Sequence, residues 1–150
     1  MVSRATIDDF VAQRSLALVG VSRSGRGFGN TVRKELGGKG YTLHLVHPEV
    51  DAVAGVPCVK RLQDLAGKVG GVILVTPPAQ TLGLVREAAE AGITRVWMQQ
   101  GAESAEAVRL AEEKSLHVVH GHCILMFSDP VGFPHSVHRW LKRVGGTLPR

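Results

Sequence analysis

From Gly20 to Asn30 the chain reads GVSRSGRGFGN, four glycines interleaved with two serines and two arginines. Glycines let a backbone approach a phosphate closely, and the free N–H groups of a helix that starts just beyond them favour negative charge. Arg23 and Arg26 add planar, bidentate donors that match phosphate oxygens. Gly20, Val21, Ser22, Arg23, Ser24, Arg26 and Gly27 are therefore a candidate anion-binding segment, with a flexible surface turn as the alternative. Against the fingerprint GxGxxG the loop runs Gly20-x-Ser22-x-x-Gly25, so its middle glycine is missing.

Four further segments carry polar, Gly-rich or Pro-rich residues at comparable places. These are His47-Pro48-Glu49, Thr76-Pro77-Pro78, the run MQQGAES with Gln99, Gln100 and Gly101, and His120-Gly121-His122-Cys123. A dinucleotide site of the NAD type wants a carboxylate immediately past its second strand, to accept from ribose hydroxyls. His47 stands there instead, and an imidazole with a nearby arginine tolerates an extra phosphate, as in NADP or coenzyme A. A plain loop residue is the other reading of His47. Cys123 with His120 and His122 could make a nucleophile or part of a zinc set. The spacing is too crowded for a tetrahedral site alone, and a further ligand would have to come from Cys58, His117, His135 or His138. A free cysteine is more often a small buried hydrophobe, so neither catalytic nor metal-ligating residues are assigned.

The elements that would position these loops alternate regularly. Ser15–Gly20, Tyr41–Val46, Gly71–Val75, Arg95–Met98 and Leu116–His120 are short apolar runs that read as buried strands. Between them, helical patterns cover Asn30–Leu36, ended by Gly37 and Gly38, and a stretch from Pro78 to about Ala91, ended by Gly92. A further helix covers Ser104–Lys114. An opening helix over Thr6–Gln13, capped by Ser3 or Thr6, and a short one near Leu62–Ala66 complete the pattern. Strands alternating with helices predict an α/β fold, a doubly wound parallel sheet of about five strands with helices on both faces. The five loops then fall at the carboxyl ends of the strands, where such sheets bind ligands. Trp97 and Met98 read as core or rim rather than as part of a cofactor box.

Length and composition agree. One hundred and fifty residues, 44% hydrophobic and 21% charged, suit one globular domain, residues 1–150. No apolar run approaches the roughly 18 residues of a membrane span. Two cysteines do not make a disulfide framework, and the start of the chain lacks the apolar segment of a secretory signal. A cytoplasmic protein without membrane association is expected. The net charge of +5 is concentrated after Asp129, where Arg139, Lys142, Arg143 and Arg150 meet no carboxylate side chain. A solvated basic helix over Phe133–Arg143 accounts for that tail. The rest of the chain is nearly balanced, so nucleic-acid binding is not expected. Val137, Trp140, Leu141 and Val144 fall at helical spacing, a stripe that covers this sheet's own edge or a second copy in a homodimer.

Taken in order, GVSRSGRGFGN, VHP, VTPP, VWMQQGAES and VVHGHCILMF resemble the small stand-alone coenzyme A-binding proteins. Their Rossmann-like fold is similar to the N-terminal domain of the succinyl-CoA synthetase α subunit. The resemblance covers roughly Ser15 to Phe127 and implies coenzyme A or an acyl-CoA as the small-molecule ligand. It implies that Gly20, Ser22, Arg23, Arg26 and Gly27 hold the pyrophosphate and 3′-phosphate. His47 and Pro48 would border the adenosine opposite Val75, Thr76, Pro77 and Pro78, and Gln99, Gln100 and Gly101 would lie near the pantetheine arm. Glu49 departs from the Lys or neutral residue that many relatives place shortly after the Pro. The synthetase's second domain, which carries the phosphorylated His, has no counterpart here, so ligase activity is not implied. The expectation is binding without catalysis. An NADP-binding oxidoreductase or redox-sensing domain is the alternative, and it lacks dedicated nicotinamide residues.

Overall fold

The computed structural model describes residues 2–128. The expected C-terminal helix over Phe133–Arg143, the Trp140 stripe and the basic tail from about 129 lie outside the described residues. Seven strands form one sheet in the order β3-β4-β2-β1-β5-β6-β7. They are β1 (Ser15–Val19), β2 (Thr42–Val46), β3 (Ala52–Val53), β4 (Val56–Val59), β5 (Gly71–Leu74), β6 (Arg95–Gln99) and β7 (His117–His122). The helices are α1 (Arg4–Val11), α2 (Phe28–Gly38), α3 (Pro78–Glu90) and α4 (Ala105–Glu113), with 3₁₀ turns at Leu62–Leu65 and Ile124–Met126.

The α/β class and the largely parallel sheet match the expectation, while the strand number needs correction from about five to seven. The two additions, β3 and β4, form a hairpin whose two-residue turn, Ala54-Gly55, puts both residues at positive φ. A primed turn demands that geometry, but alanine gives no sequence signal for it. β4 then joins β2 in parallel, with Val46 opposite Val59. Helix α2 starts at Phe28, two residues before the expected Asn30, and runs through Gly37 and Gly38. β7 continues past His120 to His122 through an irregularity in its pairing with β6, at Gly121.

Strand alternation splits the core into two layers. Leu16, Leu18, Ile73, Trp97 and Val119 point to one face, where Ile7, Phe10 and Val11 of α1 and Val32 and Leu36 of α2 cover them. Ala17, Val19, Val72, Leu74, Val96 and Met98 point to the other, against Val85 and Ala88 of α3 and Ala107 and Ala111 of α4. Burying a side chain such as Leu16 or Ile73 completely stabilises by about 1.5–3 kcal/mol each, so β1, β5 and β6 each contribute to holding both helical layers. Trp97 lies between Phe10 and Phe127, ring centroids 5.3 and 6.1 Å away, and its Nε1–H donates to the His122 carbonyl at 3.0 Å. Because α2 leaves β1 on one face and α3 leaves β5 on the other, the chain diverges between β1 and β5. Doubly wound sheets open a crevice at that point.

Candidate functional site

Two glycines close the floor of the crevice. Gly20 follows β1 at φ +115°, and a Cβ there would overlap the Val75 carbonyl oxygen just past β5. Gly29 sits in the first turn of α2, where a Cβ would overlap the Gly20 carbonyl oxygen and come within 2.7 Å of its carbon. The end of β1, the end of β5 and the start of α2 therefore touch backbone to backbone, which only hydrogen side chains permit. Gly29 fills the third glycine role of the dinucleotide fingerprint, close helix–strand packing.

Serine side chains and one buried asparagine shape the loop between them. Gly25 N–H donates to the Ser22 carbonyl at 3.0 Å, closing a tight turn. The Ser22 Oγ accepts from the Ser24 N–H, and the Ser24 Oγ from the Arg26 N–H, each at 3.2 Å. Asn30, 1% exposed, donates from Nδ2 to the carbonyls of Ser22 (3.1 Å) and Arg26 (2.9 Å), and its Oδ1 accepts from Arg33 at 3.0 Å. The N-cap of α2 is Gly27, and no side chain caps the helix. Its first amides therefore remain aimed past the loop, with the positive end of the helix dipole behind them. Arg23, Arg26, Gly27 and Phe28 are exposed along this rim, whereas Val21 is buried beneath it.

The second loop crosses over to meet the first. His47 Nδ1 accepts from the N–H groups of Glu49 (3.1 Å) and Val50 (3.3 Å), so the ring caps its own turn and presents Pro48. Glu49 forms an ion pair with Arg23, joining the loops after β1 and β2. The departure noted at Glu49 thus has a geometric answer, since its charge is matched by an arginine of the Gly-rich loop. Lys60, just past β4, donates to the Glu49 carbonyl at 3.1 Å and pairs with Asp51 at 3.0 Å.

The third loop supplies the facing wall. Pro77 is the N-cap of α3 and Pro78 its first residue, both exposed. Thr76 is buried, and its hydroxyl bonds that of Thr81 at 2.9 Å, while Thr81 donates to the Ala102 carbonyl at 2.7 Å. This pair ties the loop after β5 to the loop after β6. Between the second loop and α3 lies a cavity of about 400 Å³. Val19 and Val46 form its back, Pro48 and Lys60 one side, and Ala79, Gln80, Gly83, Leu84 and Glu87 the other.

The fourth loop behaves differently. Gln99 is 2% exposed, and its Oε1 accepts from the Ile124 N–H at 3.1 Å. Gly101 is exposed in a turn held by the Glu103 carboxylate at 3.1 Å. Cys123 is half-buried at the end of β7, and burial with the neighbouring His120 pushes the His122 imidazole below its ordinary value. Burial raises the Cys58 thiol on β4, away from this group. Among the described residues no group of three or more His, Cys, Asp and Glu could hold a metal ion, and no helix is long and apolar enough to cross a membrane.

The structure thus joins the Gly-rich loop to the His47-Pro48 turn through the Arg23–Glu49 ion pair and to the end of β5 at Gly20, and of the residues expected from sequence Pro48 lines the cavity. Thr76 is buried, and Gln99 is turned toward the core. Sequence reading missed Asn30, Lys60, Gly83 and Glu87. Only Asn30 carried a local signal, as a polar residue on the apolar face of α2.

Residues 14–129 match the family model of the CoA binding domain. The chain is 31% identical over 124 residues to the uncharacterized protein YneT of Bacillus subtilis, covering 81% of this chain and 91% of that one. A solved structure of a conserved hypothetical protein from Pyrococcus furiosus is 36% identical with a TM-score of 0.71, covering 75% of this chain and 97% of that one. A hypothetical protein from Pyrococcus horikoshii is 28% identical with a TM-score of 0.74, covering 83% and 88%.

Proposed function

The chain belongs to the CoA-binding domain family, and from that premise we propose that it binds coenzyme A or an acyl-CoA in the crevice between β1 and β5, without catalysis of its own. The start of α2, left uncapped by any side chain and flanked by Arg23 and Arg26, carries this reading. Its amides suit a pyrophosphate, which accepts hydrogen bonds and favours the positive helix end. The 400 Å³ cavity beside it has the apolar back and polar sides that suit an adenosine, gripped between Pro48 and the first turns of α3. The pantetheine arm then runs across the ends of β5 and β6 toward Gly101.

Calorimetry with coenzyme A, dephospho-coenzyme A, NADP and NAD in one buffer tests the proposal. Coenzyme A is expected to bind tightest. Arg26→Ala is expected to weaken it about tenfold, the loss of one charge-assisted hydrogen bond. Tighter binding of NADP would transfer the site to the oxidoreductase or redox-sensing reading. Binding of none of the four would overturn the assignment of the crevice.

A further inference from the structure

We infer that Lys60 recognises a phosphate monoester on the ligand's ribose, and that Asp51 is the counter-ion it exchanges for that phosphate. This rests on the proposed adenosine site and extends it to a residue outside the Gly-rich loop. Lys60 follows β4, and β4 runs parallel to β2 with Val59 opposite Val46. The His47 N–H donates to the Val59 carbonyl at 2.9 Å, so Lys60 emerges beside the turn that ends β2. In doubly wound sheets the ribose hydroxyls of an adenosine ligand lie just past the second strand, where the residue type decides whether a phosphate ester is accepted. Here that position offers His47, whose Nδ1 is occupied by its own turn. Lys60 is the cationic residue that lines the cavity.

The charges at this rim are arranged for exchange. Arg23 is matched by Glu49 and Lys60 by Asp51. The Asp51 side chain is 97% exposed, so it binds Lys60 as a solvated carboxylate that leaves at little cost. A phosphate dianion brings more charge and more acceptor oxygens than the carboxylate it replaces. A lysine on a flexible stem can follow a monoester that rotates about its ester bond. The bond from Lys60 to the Glu49 carbonyl keeps the stem at the cavity mouth during the exchange.

The test compares coenzyme A with dephospho-coenzyme A, which lacks only the 3′-phosphate, on wild type, Lys60→Gln, Lys60→Arg and Asp51→Asn. Wild type is expected to prefer coenzyme A by about tenfold, the worth of one charge-assisted hydrogen bond. Lys60→Gln should abolish that preference by weakening coenzyme A far more than dephospho-coenzyme A, and Lys60→Arg should restore most of it. Asp51→Asn should tighten coenzyme A several-fold and leave the other ligand alone. If both ligands bind wild type and Lys60→Gln keeps the ratio, or weakens both alike, the role of Lys60 is refuted and the crevice stands. If Asp51→Asn shifts both ligands equally, the counter-ion exchange is refuted. If wild type binds neither ligand, the crevice assignment itself fails.

Discussion

Replacing Gly29 by alanine tests whether the site floor depends on backbone contact between β1 and α2. The added Cβ would lie 2.7 Å from the Gly20 carbonyl carbon, with the Val21 nitrogen at 3.1 Å. Carbon atoms pack at about 3.5–4.0 Å, so the helix start must move away by roughly 1 Å. No side-chain rotation can relieve the overlap, because both partners are backbone. Overpacking of this kind costs about 1–3 kcal/mol, and with backbone on each side the upper end applies, about 3 kcal/mol. In a domain of this size that lowers Tm by roughly 10 °C. Gly37→Ala is the control, since a Cβ at Gly37, in the same helix, meets nothing within 4 Å. Alanine is the better helix former, so this variant should melt at or slightly above the wild-type temperature. Thermal unfolding followed by circular dichroism reads both. If Gly29→Ala melts within 2 °C of wild type, or Gly37→Ala falls as far, the close-contact argument is wrong.

Three further outcomes follow from the site. Glu49→Gln frees Arg23 from its counter-ion and should tighten coenzyme A several-fold in calorimetry; an unchanged or weaker Kd would count against the ion pair as a competitor. Asn30→Ala removes the bonds that clamp the Gly-rich loop at the Ser22 and Arg26 carbonyls, and should cost about 1–3 kcal/mol in urea unfolding while speeding amide exchange in residues 22–27. His122 is held below its ordinary imidazole value by burial and by His120. The unfolded chain therefore takes up this proton first as pH falls, so stability is full above the ordinary histidine range, declines through it, and levels off once the folded His122 is itself protonated. His122→Asn should flatten that decline in unfolding measured from pH 7.5 to 5, and an unaltered slope would assign it to other groups.

The readable parts of this fold were those in which local signals and tertiary demands coincide. SLALV, GVIL and RVWMQ are buried on both faces, so near-continuous apolar runs disclose them as central parallel strands. Two prolines mark the start of α3, and Ser104 caps α4 by accepting from the Ala107 N–H at 3.1 Å. The hairpin escaped because Ala54 adopts a conformation that alanine rarely signals and Pro57 interrupts the second strand. The early start of α2 escaped because Gly27-Phe28-Gly29 has the composition of a loop. Gly29 is nonetheless required there by contact with β1, a demand from across the structure. At the site, the Gly-rich loop, His47-Pro48 and Thr76-Pro77-Pro78 were legible because each is a contiguous segment. Lys60 and Glu87 were not, since they meet only when β4 and α3 are placed on opposite sides of one cavity. Gln99 illustrates the opposite case, a polar residue at a strand end that is employed by a neighbouring backbone N–H.

The position of β1 at the middle of the sheet governs the order in which this chain can be assembled. β1 precedes the other six described strands in the chain, yet its Leu16 pairs with Gly71 of β5 on one side while its Ser15 pairs with Thr42 of β2 on the other. Until β5 has been synthesised, one long edge of this apolar strand has no partner. Ala17 and Val19 likewise wait for α3 to cover them. Distant pairings of this kind slow folding and prolong the exposure of unpaired edges. A nascent chain arrested before residue 71 should thus be open to chaperone capture or to proteolysis within β1. One arrested after α3 has emerged should resist both, because the Gly-rich loop and the central strand become protected in the same event.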